Sequence, residues 1–149
     1  MGKTFVDAEG FVAGGSFWAP WVRDLGLQVL AMSPTSTTCC LPNTDRLVQG
    51  FGVVCGQAMM AAADTAMVIA LTKYDGMLGT VQASIVFLKP VVAGVSLHLE
   101  AKVIKVSKTQ AYGTVDFFRE DKPGDVVAQV TCLFARDTSN GVAVQRPRL

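Results

Sequence analysis

The stretch GQAMMAAADTAMVIALTKY, residues 56–74, decides the fold of this chain. Between Ala58 and Leu71 its only strongly polar side chains are those of Asp64 and Thr65. Alanine, methionine and leucine favour helix, and a helix that is apolar on every side has to be surrounded by other structure. The stretch therefore predicts a long buried helix with one carboxylate at its middle.

The sequence after Gly79 changes to the two-residue period of β-strands. Short turns separate four alternating segments, which are TVQASIVFL, VSLHLEAKVIKV, AYGTVDFFRE and VVAQVTCLFAR. We expect these four strands to form a consecutive antiparallel meander. Before the helix, LQVLAMSPTSTTCCL predicts two short strands around a turn at Ser33 and Pro34. The predicted fold is α+β, a long central helix wrapped by an antiparallel sheet of five or six strands, which is the element order of hotdog folds.

Length and composition predict one domain that is partly covered by another subunit. The 149 residues are enough for one hydrophobic core. We expect a single domain over residues 1–149, with an N-terminal extension over 1–24 and a loose tail over 137–149. Hydrophobic residues make up 50% of the chain and charged residues 17%. That balance is typical of a chain whose surface is partly buried in an oligomer.

The charge and cysteine patterns argue against several classes of partner. The net charge is +1 and the Lys and Arg residues are scattered, so neither a nucleic-acid site nor a basic membrane patch is expected. The longest apolar run, 58–63, is far shorter than a membrane span, and the N-terminus lacks the apolar core of a signal peptide. None of the four cysteines has a histidine at metal-ligand spacing. We predict a cytoplasmic protein with no metal and no cofactor.

Three segments of the chain resemble a known enzyme family. GFGVVCGQAMMAAADTAM, SIVFLKP and GVSLHLEAKVIKVSKTQAYGTVDFF are similar to the phenylacetate-pathway type of hotdog acyl-CoA thioesterases, in the 4-hydroxybenzoyl-CoA thioesterase superfamily. The resemblance covers residues 49–136. In that family the helix begins with His-Gly-Gly and continues to Ala-Asp-Thr-Ala. Here residues 63–66 keep the second motif, Gly56 is the first glycine, and Cys55 and Gln57 replace the histidine and the second glycine.

The resemblance implies hydrolysis of an acyl-CoA thioester to a free acid and coenzyme A. It makes Asp64 the general base or the nucleophile, and apolar surroundings strengthen a carboxylate as a proton acceptor. The backbone N–H groups of Gly56 and Gln57, at the helix N-terminus, become the donors to the oxyanion. Gln49 lies fifteen residues before the acid, and the family pattern gives it the role of holding Asp64 or the attacking water.

The spacing of these residues predicts a dimer independently of the resemblance. Eight residues separate Gly56 from Asp64, which is about 12 Å along a helix. The two residues cannot flank one carbonyl within one chain. If both act, two helices meet antiparallel, and Asp64 of one subunit faces Gly56 and Gln49 of the other. We therefore predict a two-fold dimer with two composite sites, which the resemblance extends to a dimer of dimers.

Further residues are expected around the acyl-CoA substrate. They are Cys55, Thr65, Val68, Phe87, Leu88, Lys89 and Lys108. Phe87 and Leu88 are predicted to line an acyl pocket, and the two lysines are candidates for pairing with the coenzyme A phosphates. Thr65 points about 100° away from Asp64 around the helix and is expected to donate to a preceding carbonyl. Val68 offers the acid no polar support.

Two other functions stay open. A non-catalytic acyl-CoA or acyl-carrier binding protein keeps the same fold and does not need the histidine that Cys55 replaces. A hotdog dehydratase needs an Asp–His pair, and the only histidine, His98, is predicted on a strand face with Glu100 and Lys102, away from the start of the helix. A Cys55 nucleophile lacks a histidine partner for the same reason.

Overall fold

The structure is a computed structural model that describes residues 18–138. These residues form two α-helices, six β-strands and one 3₁₀ helix. The elements are α1 Pro20–Arg23, β1 Gln28–Met32, β2 Ser36–Leu41, the 3₁₀ helix Asp45–Leu47, α2 Gly56–Leu71, β3 Met77–Phe87, β4 Leu97–Val106, β5 Gln110–Arg119 and β6 Val126–Arg136. Most of the predicted N-terminal extension, and the tail beyond residue 138, lie outside the described residues.

The predicted central helix is confirmed as α2, which is 16 residues long. Its alanine and methionine residues are strong helix formers, and Cys55, in an extended conformation, is its N-cap residue. The helix ends at Leu71. Gly76 then has a φ of 77°, a conformation that glycine adopts without strain, and the chain turns there into β3.

The six strands form one antiparallel sheet in the order β1-β2-β4-β5-β6-β3. The pairs β1–β2, β4–β5 and β5–β6 follow the predicted hairpins. The four-strand meander is wrong for β3, which pairs with β6 at one edge of the sheet and not with β4. Alternation shows which face of a strand is buried, but it does not identify the neighbouring strand. Residues 88–96 are long enough to cross the three strand spacings, about 14 Å, from β3 to β4.

Helix α2 packs on one face of this sheet, mainly against β4 and β2. The sheet leaves one face of α2 uncovered. The residues of this open stripe, three or four positions apart, are Gln57, Ala61, Asp64 and Val68. Gln57 is exposed and the other three are half-buried. The prediction of a helix surrounded on every side is therefore wrong for the single chain, and Asp64 lies within the open stripe.

The segment before β1 contributes the buried side chains of Trp18, Leu25 and Leu27. Trp18 belongs to the hydrophobic core, whereas Trp21, on the single turn of α1, is exposed. Within residues 18–138, neither helix combines the length and the apolar character needed to cross a membrane.

Candidate active site

A cavity of about 380 Å³ opens beside the N-terminus of α2. Five residues predicted for the site line it, namely Gln49, Gly56, Phe87, Leu88 and Lys89, and its other lining residues are apolar. This is the size range of cavities that hold small ligands. The structure thus brings Gly56, one of the two residues expected for the oxyanion, together with Phe87 and Leu88, expected for the acyl group, whereas Gln57 does not line the cavity.

The start of α2 supplies hydrogen-bond donors to this cavity. No side chain caps the helix there, and the Met59 N–H donates to the Cys55 carbonyl over 3.4 Å. The N–H groups of Gly56, Gln57 and Ala58 come before that bond and have no acceptor within the helix. A helix end of this kind favours a ligand that carries or develops negative charge.

The wall that carries Gln49 is fixed by backbone hydrogen bonds. The Gln49 N–H donates to the Val53 carbonyl at 2.9 Å, and the Gln49 carbonyl accepts from the Gly52 N–H at 2.8 Å. Gly52 has a φ of 75°, which this tight turn requires and which glycine tolerates. The Val54 N–H donates to the Val91 carbonyl at 2.8 Å, so the two walls of the cavity are joined.

Asp64 lies away from this cavity. Its Oδ1 atom accepts a hydrogen bond from Thr80 Oγ1 at 2.6 Å, and Thr80 lies on the edge strand β3. Eight residues of helix, about 12 Å, separate Asp64 from Gly56. The single chain therefore keeps the acid and the helix N-terminus apart, as the spacing predicts.

Thr80 is a site residue that the sequence did not identify. Its hydroxyl gives Asp64 the polar support that Val68 does not provide. Thr80 is sixteen residues from Asp64 in the chain, and no periodicity relates a helix to an edge strand. The only available signal was that Thr80 begins the first predicted strand after the helix.

The cysteines around the helix are thiols, and all four are free. Cys39, Cys40 and Cys132 are buried, as expected for small core residues, whereas Cys55 is only half-buried. Burial, and then the charge of Asp64, raises the pKa of the Cys132 thiol to about 11. Cys132 therefore stays protonated beside the acid at neutral pH.

The two lysines predicted to pair with phosphates lie in different places. Lys89 lines the cavity, but its Nζ atom is 2.5 Å from Asp125 Oδ1 in an exposed ion pair. This hydrogen bond lowers the pKa of the Asp125 carboxyl. Lys108 lies in the turn between β4 and β5, near the end of β6 that pairs with Met77. Phe87 lies at the opposite end of β3, where it pairs with Ala128. Within the single chain the two lysines therefore do not lie together, and their pairing with coenzyme A phosphates stays a prediction.

The remaining predicted residues lie outside the cavity. Thr65 Oγ1 donates to the Ala61 carbonyl at 2.7 Å, which confirms its expected bond to a preceding carbonyl. Val68 is half-buried on the open stripe. His98 lies on the face of the sheet away from α2, with its Nε2 atom 4.0 Å from Glu120 Oε1. Among residues 18–138, no three histidine, cysteine or acidic side chains are grouped so that they could hold a metal ion.

The architecture places the chain in a structural class. A long helix packed on one face of a six-stranded antiparallel sheet in this order is the hotdog fold. The family model of the thioesterase superfamily matches residues 51–139. The chain belongs to that family, which confirms the resemblance seen in the sequence.

Several solved structures share this fold. Zebrafish thioesterase superfamily member 2 is 18% identical with a TM-score of 0.79, covering 91% of this chain and 99% of its own. The Haemophilus influenzae thioesterase HI1161 is 16% identical with a TM-score of 0.79. The match covers 100% of this chain and 97% of that protein. The E. coli PaaI protein of the phenylacetic acid degradation operon is 22% identical with a TM-score of 0.69. The match covers 77% of this chain and 86% of that protein. No curated protein sequence matches the chain. At these identities the structures show a shared fold alone.

Proposed function

We propose that this protein is a thioesterase that hydrolyses acyl-CoA to a free acid and coenzyme A at sites shared by two subunits. The observation that carries the proposal is the separation of two parts of one site. The first N–H groups of α2 have no acceptor within the helix, and Gly56 lines an apolar cavity. Asp64, which accepts a hydrogen bond from Thr80, lies on an open stripe about 12 Å away. Thioester hydrolysis needs both parts at one carbonyl.

The edge strand β3 supports the dimer. Its outer edge has no neighbouring strand among the described residues, and the apolar side chains of Val81 and Val86 are 61% and 56% exposed. An apolar edge of this length is suited to pairing with another strand. Thr80 links Asp64 to the same strand. In our proposal, β3 pairs antiparallel with β3 of a second copy, and the open stripe of α2 is covered at the same time.

In this arrangement the thioester carbonyl oxygen accepts hydrogen bonds from the N–H groups of Gly56 and Gln57. Asp64 of the partner subunit takes a proton from water as the water oxygen bonds to the carbonyl carbon. The tetrahedral intermediate then collapses, the C–S bond breaks, and the proton passes to the leaving sulfur. Thr80 orients the carboxylate through its hydrogen bond, and Gln49 holds the attacking water. Direct attack by Asp64 on the carbonyl uses the same positions.

The proposal includes a cytoplasmic location and a dimer or dimer of dimers. All four cysteines are free thiols, and free thiols are typical of proteins in reducing compartments. Coenzyme A thioesters as substrates agree with that location.

The test is thiol release from short, medium, long and aryl acyl-CoA thioesters by wild type, Asp64→Asn and Asp75→Asn. Asn replaces Asp64 with nearly the same shape but no base. Asp75 is an exposed acid in the loop after α2, so Asp75→Asn controls for the loss of one negative charge. We expect turnover by wild type and Asp75→Asn, and a loss of about a thousandfold or more in Asp64→Asn, with the dimer intact by light scattering. Binding without turnover in wild type would instead support the non-catalytic alternative.

A further inference from the structure

The aromatic ring of Phe87 points with its tip at the start of α2. A Cβ atom placed on Gly56 would lie 2.6 Å from Phe87 Cζ and 3.3 Å from each Cε atom. A side-chain carbon does not approach another carbon as closely as 2.6 Å, so the ring occupies the space that a side chain at position 56 would need. Phe87 therefore borders the same small volume as the Gly56 N–H group.

The position of this ring is set by the sheet. Phe87 is the last residue of β3 and pairs with Ala128 of β6, so its backbone is held in the ladder. The side chain is 53% exposed and lines the cavity together with Leu88. The ring is thus a wall of the cavity at the point where the carbonyl of a bound thioester would be held.

We propose that Phe87 determines acyl specificity by excluding thioesters whose α-carbon carries a second carbon substituent, as in an α-branched acyl group. The inference rests on the proposed function. A carbonyl oxygen bound by the Gly56 N–H lies about 2.9 Å from that nitrogen, and the α-carbon is only two bonds from the oxygen. An α-carbon that is itself a CH₂ group fits beside the ring tip. A second carbon substituent meets the ring, because the ring tip already occupies the volume beside Gly56. The site then accepts straight-chain acyl groups.

The test compares butyryl-CoA with isobutyryl-CoA, which have the same atoms and differ only in the branch at the α-carbon. We expect wild type to prefer butyryl-CoA by about tenfold or more in kcat/KM. In Phe87→Ala the preference should fall to about threefold or less. Phe87→Leu, whose side chain is shorter than the ring, should give an intermediate value. Each thioester is compared with itself across variants, so intrinsic reactivity cancels.

Leu88→Ala is the matched control. Leu88 lines the same cavity and is 58% exposed, but it is not among the atoms nearest to position 56. The preference for butyryl-CoA in Leu88→Ala should stay at the wild-type value. Hydrolysis of both thioesters at similar rates by wild type, or an unchanged preference in Phe87→Ala, overturns the inference and leaves the proposed hydrolysis intact.

A binding measurement separates the two proposals if turnover is absent. Calorimetric titration of Asp64→Asn with each thioester should show the same preference for butyryl-CoA in Kd, and Phe87→Ala in the Asp64→Asn background should remove it. A preference in binding without turnover in wild type supports the inference and contradicts hydrolysis. Equal binding of both thioesters overturns the inference.

Discussion

The N-terminus of α2 and the middle of the same helix have different surroundings. At the N-terminus, one chain supplies both walls of an apolar cavity, and backbone hydrogen bonds join them. At the middle, Asp64 lies on a stripe that the sheet leaves open, and Thr80 is the residue that donates to it. A single chain encloses the cavity at the N-terminus but leaves the stripe around Asp64 uncovered. The proposed function explains this difference by a second subunit that covers the acid, and the following variants test that proposal.

Among the variants that follow, the largest effect is expected from charges on the β3 edge. In the double variant Val81→Lys and Val86→Lys, both substituted positions are exposed in the single chain, so folding should be retained. Pairing with a second β3 would bring like charges together, which is unfavourable. We expect monomers by light scattering and a fall in kcat/KM of about a hundredfold or more, because the acid and the oxyanion donors no longer meet. Leu30→Lys, on the opposite sheet edge, is the control and should stay dimeric. A monomeric double variant with full activity would contradict the shared site.

A smaller effect is expected from Thr80→Val. Valine has almost the shape of threonine but cannot donate to Asp64. Loss of one hydrogen bond to a charged group should lower kcat about tenfold, with KM changed by less than about twofold. Thr80→Ser keeps the hydroxyl and should recover most of the rate in the same steady-state assay. Equal rates for Thr80→Val and wild type would mean that the acid does not depend on this bond.

Asp125→Asn should have a still smaller effect. The pKa of the Asp125 carboxyl is lowered by the Lys89 hydrogen bond, so at neutral pH this group is a carboxylate that holds the Lys89 side chain. The variant weakens this attraction and leaves Lys89 more available to coenzyme A phosphates. We expect KM for acyl-CoA to fall about threefold, with no change for acyl-pantetheine, which lacks the nucleotide. If both substrates respond equally, Lys89 does not contact the nucleotide phosphates.

The smallest effect is expected from Cys55→Ala. Cys55 is next to the oxyanion donors, but His98 lies on the other face of the sheet, so no imidazole activates the thiol. Activity should stay within about twofold of wild type. Abolished turnover, with Asp64→Asn still active, would assign the chemistry to Cys55.

The sequence predicted the elements well and their neighbours less well. The apolar run of α2 and the alternation of β4, β5 and β6 are local patterns, and each was found where expected. The position of β3 beside β6 was not predicted, since alternation is the same in an edge strand and in an inner one. The open stripe on α2 was missed for a related reason. A helix that is apolar on all sides looks the same whether its own sheet or a second subunit covers it.

The site was predicted in the same uneven way. Gln49, Gly56 and Phe87 lie in one cavity because short, hydrogen-bonded segments connect them to the start of α2. The contact of Thr80 with Asp64, and the distance of Lys108 from the cavity, depend on where β3 and the β4–β5 turn lie in the sheet. Long-range packing of that kind leaves no mark in the local sequence pattern.

The most direct test of the shared site is the activity of a defined heterodimer. One subunit carries Asp64→Asn and the other Gly56→Val, which fills the space beside the oxyanion donors; the two are co-expressed with different tags and purified through both. Each homodimer should be inactive. The heterodimer combines an intact Asp64 with an intact Gly56 at one of its two sites, and should show about half of the wild-type activity per dimer. A heterodimer as inactive as its parents would contradict the account, because it would place both groups at one site within a single chain.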